Sequence, residues 1–109
     1  MQHNGRETYK LPTGWSFPDA DTAQRLIDEL QRELPPGHLL AGCAVETIAW
    51  TDGLNDDVLF RDLNEPAKFT IVHLTWRGSV EIDMHHPTVI FDGSFDQFLR
   101  YVYGVEASE

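Results

Sequence analysis

The sequence predicts an α+β domain: an antiparallel meander of three or four strands flanked by an N-terminal and a C-terminal helix. Three observations carry that prediction. A helical apolar stripe runs up to Pro35-Pro36-Gly37. Short runs with strand periodicity, separated by turn residues, fill the middle of the chain. A second helical stripe opens with a serine and closes with a glycine. The 109 residues fit one domain, which the reading places at 15–104, with tails at 1–14 and 105–109. A chain of this size buries roughly 60–70% of its unfolded surface, so its core needs no metal or disulfide.

In the first helix Ala23, Leu26, Ile27, Leu30 and Leu34 form the apolar stripe. Asp28, Glu29, Gln31, Arg32 and Glu33 are assigned to the opposite, solvated face. Asp19 or Asp21 caps the start by accepting from the free N–H groups of the first turn. The prolines stop the helix because proline has no N–H and clashes with the preceding turn. Trp15 and Phe17, just upstream, are expected to fold back onto the same core.

The run Leu39 to Trp50 favours a strand through Val45, Thr47, Ile48 and Trp50. Its alternation is imperfect, and Gly42 suggests a bulge or bend. After the turn at Thr51-Asp52-Gly53, a second strand spans Asp57 to Asp62, with Val58 and Phe60 on one face and Leu59 and Arg61 on the other. Lys68 to Trp76 is the strongest strand. Phe69, Ile71, His73 and Thr75 share one face, and Thr70, Val72, Leu74 and Trp76 share the other. Both faces are largely apolar, which predicts a central position. Val80, Ile82 and Met84 alternate with Glu81, Asp83 and His85 as a half-exposed later strand. Val89-Ile90-Phe91 is a short apolar piece. Ser94 with Gln97 makes a capping box, Phe95, Phe98, Leu99 and Val102 form the second stripe, and Gly104 closes it. The cheapest arrangement puts both helices over one face of the meander.

Eighteen acidic residues against eight basic give a formal charge of −10. Such a surface repels phosphate backbones and anionic bilayers, so nucleic acid and membrane are not expected as partners. A basic protein partner is. The charge also serves plain solubility. Cys43 is the one cysteine, which excludes an internal disulfide and fits a reducing compartment. No apolar run reaches the roughly 20 residues of a membrane helix, and Met1 to Lys10 lacks an apolar signal region. A bacterial cytoplasmic protein, monomer or homodimer, is the expectation.

Two segments, Asn55-Asp56-Asp57-Val58-Leu59-Phe60 and Thr70-Ile71-Val72-His73-Leu74-Thr75-Trp76, resemble a group of small uncharacterised bacterial proteins. That group has an acidic-then-apolar strand, a similar His-Leu-Thr-Trp strand and often an aromatic-rich closing helix, as Phe95 and Phe98 supply here. The resemblance covers roughly residues 55 to 100. It implies no settled activity and no catalytic residue.

The residues offer several chemistries. His73 sits between Val72 and Leu74, where an imidazole needs a partner; it is either structural or an acid, base or ligand. Glu81, Asp83 and His85 share a strand face and suit a divalent metal, with His73 joining them if the Val80 strand pairs with the Lys68 strand. Asp52, Asn55, Asp56 and Asp57 around a turn could take calcium, but lack the calcium-loop glycine and distal glutamate; turn chemistry explains them equally. Cys43 with His73 as base is a conceivable nucleophile pair, against a plain buried thiol. The aromatics Trp50, Trp76, Tyr101 and Tyr103 are either edge caps of the core or a protein-binding surface. No phosphate loop, dinucleotide glycine pattern or nucleophile elbow is present. The leading reading is a non-enzymatic protein-interaction module, inhibitor or immunity-like. Its contacts would be Asp52, Asp56, Asp57, Asp62 and His73, with Trp50 and Trp76. The alternative is a small metal-binding or hydrolytic domain using His73, Glu81, Asp83 and His85. No cofactor is expected.

Overall fold

A computed structural model of the chain describes residues 9–51, 57–75 and 87–103. The elements are α1 (Ala20–Glu33), β1 (Val45–Trp50), β2 (Asp57–Asp62), β3 (Phe69–His73), β4 (Thr88–Gly93) and α2 (Phe95–Tyr103). The four strands form one antiparallel meander in the order β1-β2-β3-β4, so the chain is α+β as its sequence predicts. Of the two acids offered as caps, Asp19 takes the role, accepting from the Thr22 N–H at 2.7 Å. The capping box at α2 forms in both directions: the Gln97 N–H donates to Ser94 Oγ at 3.1 Å, and the Ser94 N–H to Gln97 Oε1 at 2.9 Å. A helix of nine residues is marginal alone, so α2 depends on this cap and on its packing.

The two helices do not share a face. Leu26 and Leu30 of α1 pack with Leu40, Val45, Val58, Phe60, Val72 and Leu74. Phe98 of α2 packs with Ile48, Ala49, Leu59, Phe69 and Ile71. The sheet is therefore the middle layer between them. The reason is visible in the central strands. Val58, Leu59 and Phe60 in β2, and Phe69, Ile71 and Val72 in β3, are all buried, and successive strand residues face opposite sides. Helices stacked on one side would leave the other apolar face in water, which costs about 25 cal/mol per Å².

Two bulges adjust this pattern. The β1–β2 register shifts between Thr47 and Ala49, which turns both Ile48 and Ala49 toward the α2 side. That shift accounts for the imperfect alternation within β1, and Gly42 supplies the bend expected of it, in the preceding turn with a φ of +79°. The β3–β4 register shifts between Ile71 and Val72, and Ile90 and Phe91 both pack on the α2 side.

The last strand among the described residues is Thr88–Gly93, which contains the piece read as a short apolar segment. Both edges of Phe69–His73 are occupied, by β2 and β4. Residues 80–84 themselves lie outside the described residues. The expected strand Lys68 to Trp76 is central but shorter, Phe69–His73.

Packing also begins earlier than Trp15. Tyr9, placed in a tail by the sequence, lies 5.8 Å from the Phe69 ring and 4.7 Å from Phe95, and Pro12 is fully buried. Trp15 meets Phe98 edge-on at 5.2 Å, on the side opposite the α1 core it was expected to join. Ser16 exchanges backbone bonds of 2.9 and 3.0 Å with Trp50, which covers part of the outer edge of β1.

Candidate functional site

Asp57 and His73 are directly opposed across β2 and β3. The Asp57 carbonyl accepts from the Thr51 N–H at 3.1 Å, so its backbone polar groups face β1. The Asp57–His73 pair is consequently a non-hydrogen-bonded one, the kind in which side chains approach most closely. His73 Nδ1 lies 2.8 Å from Asp57 Oδ1. A carboxylate only accepts, so Nδ1 carries the proton and Nε2 is the free nitrogen of the neutral ring. Nε2 has no partner among the described residues, and the side chain is 47% exposed. Thr88 of β4 stands opposite His73 on its other flank.

Val72 and Leu74, the neighbours that suggested a buried ring, point to the α1 side. His73 shares the α2 side with Ile71, as its position in the alternation predicts. An imidazole oriented by a carboxylate can accept a proton, pair with an anion once protonated, or bind a metal through Nε2. Among the described residues no group of three or more His, Cys, Asp or Glu is placed to hold a metal ion.

The other expected site residues divide clearly. Asp57 and His73 come together. Trp50 is half-buried against the α1-side core, away from that pair. Asp62 is buried, and its Oδ1 takes the N–H groups of Asn64 and Glu65 at 2.7 and 3.1 Å, so it holds its own turn. Cys43 packs on the α1-side core, across the sheet from His73, so the thiol–imidazole pair is not assembled. Asp52, Asn55, Asp56, Trp76, Glu81, Asp83 and His85 lie outside the described residues.

Three polar residues escaped the sequence reading. Glu29 and Glu33, assigned to the solvated face of α1, are 3% and 0% exposed. Glu33 Oε1 accepts from the Thr75 N–H at 3.0 Å, and Glu29 binds Arg32 at 3.0 Å. The signal was their spacing from Leu26 and Leu30, which continues the buried side of the helix. His38 is 5% exposed. Its Nε2 lies 2.6 Å from the Pro87 carbonyl, and its Nδ1 accepts from the Leu40 N–H at 3.0 Å. This ring joins the turn after α1 to the start of β4, and no local pattern announces it.

On the α2 side Tyr9, Trp15, Phe69, Phe91, Phe95 and Phe98 form a chain of ring contacts. Tyr101 joins it through Phe91 and is 50% exposed, and Tyr103, 62% exposed, makes no ring contact among the described residues. Phe95 touches Phe69, while Phe98 and Tyr101 touch Phe91. Since Phe69 pairs with Gly93, α2 runs back along β4, and its last turn heads toward the end where Thr88 and His73 lie.

No family model matches the chain, and no curated protein or solved structure is significantly similar to it. No helix among the described residues is long and apolar enough to cross a membrane.

Proposed function

We propose that the chain is a small non-enzymatic protein-interaction module of the bacterial cytoplasm that binds a basic protein partner, as an inhibitor or immunity-like protein does. The observation that supports this is the disposition of charge. Arg32, Arg61 and Arg100 are tied to Glu29, Glu46 and Asp96 of the same chain. These three cations are occupied within the chain, whose formal net charge is −10. Asp57 and His73 supply a polar, half-exposed centre, with Asp52 and Asp56 preceding it in sequence. Charge of this kind acts mainly on encounter rate and on rejection of wrong partners.

The test is co-purification from the native cell at low salt, with the captured protein identified and its binding remeasured at high salt. A captured partner with a basic contact surface, released by salt, is the expected result. Recovery of no partner at low salt contradicts the proposal.

One observation favours a second reading, a small metal-binding or hydrolytic domain: the free Nε2 of a carboxylate-oriented His73. In that reading Glu81, Asp83 and His85 complete the set. Metal analysis of untagged protein, with thermal shifts on adding zinc or manganese, tests it. Stoichiometric metal that His73→Ala removes supports it; sub-stoichiometric metal and no shift oppose it.

A further inference from the structure

We infer that the row Asp57–His73–Thr88 takes a lysine or arginine side chain of the partner protein, and that this cation binds only while His73 is unprotonated. The inference rests on the interaction-module reading and gives it a contact point and a proton switch. Asp57 is the first residue of β2, His73 the last of β3 and Thr88 the first of β4. The register sets the three side by side at one end of the sheet. One step inward on the same side, Leu59, Ile71 and Phe91 join the core that Phe98 of α2 closes.

The row is held in place before anything binds. Thr51, 6% exposed, fixes Asp57 from the β1 flank. Its N–H donates to the Asp57 carbonyl at 3.1 Å, and its hydroxyl lies 3.3 Å from both the carbonyl oxygen and the N–H of Asp57. On the other flank the carboxylate holds His73 Nδ1 at 2.8 Å. Groups already placed lose little entropy when a partner docks.

The unbonded atoms of the row select the occupant. Asp57 Oδ2, His73 Nε2 and the Thr88 hydroxyl have no partner among the described residues. Oδ2 and the Nε2 of a neutral ring only accept, and a hydroxyl can accept. With the ring neutral, the pair carries one negative charge. A positive group rich in N–H donors, ammonium or guanidinium, matches all three atoms. This selection is local and does not depend on the overall charge of the chain. A second copy of the row would set acceptors against acceptors.

Protonation of His73 cancels the charge of the pair and turns Nε2 from acceptor into donor. The cation and the proton therefore oppose one another, and by linkage each weakens the other. Among the described residues Asp57 is the charged partner of the ring. The flanking strands bring Thr88 and Thr51, which do not titrate. Asp96, Arg100, Tyr101 and Tyr103 of α2 make no hydrogen bond or ion pair with the ring.

The experiment is an NMR titration of the full chain with a hexa-arginine peptide at low salt, following the His73 ring and the backbone amides, from about pH 5.5 to 8. Shifts should concentrate on Asp57, His73 and Thr88, and affinity should rise about two- to fivefold with pH. His73→Gln, which cannot titrate, should flatten that dependence. Asp57→Asn keeps an oxygen for Nδ1–H, removes the charge and should weaken binding about two- to fivefold. Asp28→Asn removes an equal charge from the exposed face of α1, across the sheet, and should leave affinity nearly unchanged.

Equal weakening by the two Asp→Asn variants means diffuse attraction, and overturns the site while the interaction module stands. A pH dependence that survives in His73→Gln overturns the proton switch. Absence of binding overturns the site, and the co-purification decides the module separately. Zinc that perturbs the His73 ring where hexa-arginine does not would replace the cationic side chain with a metal, and overturns the proposal as well.

Discussion

The two sides of the sheet are built differently. The α1 side is aliphatic, with Leu26, Leu30, Val45, Val58, Val72 and Leu74 around Phe60. Its buried polar groups are engaged: Glu33 holds the Thr75 N–H and His38 bridges Pro87 to Leu40. The α2 side is aromatic, and its polar groups keep capacity to spare. His73 offers Nε2, and Tyr101 and Tyr103 stand in solvent. A face whose hydrogen bonds are all consumed stabilises the fold; a face with unused donors, acceptors and rings is the one able to meet something else. The contrast is sharpest in the two histidines, one clamped at both nitrogens and the other at one.

Substitutions can break this comparison, beginning with the largest effect. Phe98→Ala removes the only fully buried side chain of α2, and should cost about 3–5 kcal/mol in urea unfolding. A loss below about 1 kcal/mol would mean α2 is not integral to the aromatic layer. His38→Ala leaves the Pro87 carbonyl and the Leu40 N–H without their buried partner. It should cost about 2–4 kcal/mol, whereas His73→Ala should stay within about 0.5 kcal/mol because that pair is half-exposed. Equal losses in the same denaturation assay would remove the distinction between the sides. Ser94→Ala takes away one half of the capping box and should cost about 1 kcal/mol, read as a lower melting temperature. Tyr103→Ala should leave stability unchanged to within about 0.5 kcal/mol; a larger loss would show the ring is structural.

Much of the fold was legible in the sequence because it rests on local rules. The helix stops at Pro35-Pro36-Gly37, the Ser94–Gln97 box and the period of β2 and β3 are short-range signals; α1, β2 and α2 formed where these placed them, and β3 formed within its expected span but shorter. The placement of the helices was also legible in principle. Val58, Leu59 and Phe60 in succession require apolar cover on both sides, and that outweighs economy of arrangement. What could not be read is long-range or register-dependent. The one-residue bulges at Ile48 and Ile90 flip faces without any marker residue. The His38–Pro87 bond spans 49 positions, and the Asp57–His73 pair exists only because the β2–β3 register opposes them. Glu33 misled because a charged side chain in a helical stripe reads as solvated until its backbone partner is known.

The bonding of the two histidines tests the comparison at the level of single atoms. The geometry requires opposite tautomers of the neutral rings. His38 carries its proton on Nε2, donating to Pro87, and His73 carries its own on Nδ1, donating to Asp57. Long-range ¹H–¹⁵N correlation spectra of the full chain at alkaline pH, assigned with His38→Gln and His73→Gln, report this directly. The account predicts the Nε2–H pattern for His38 and the Nδ1–H pattern for His73. Finding the same tautomer at both positions, or a His73 ring freely averaging between forms, would contradict it.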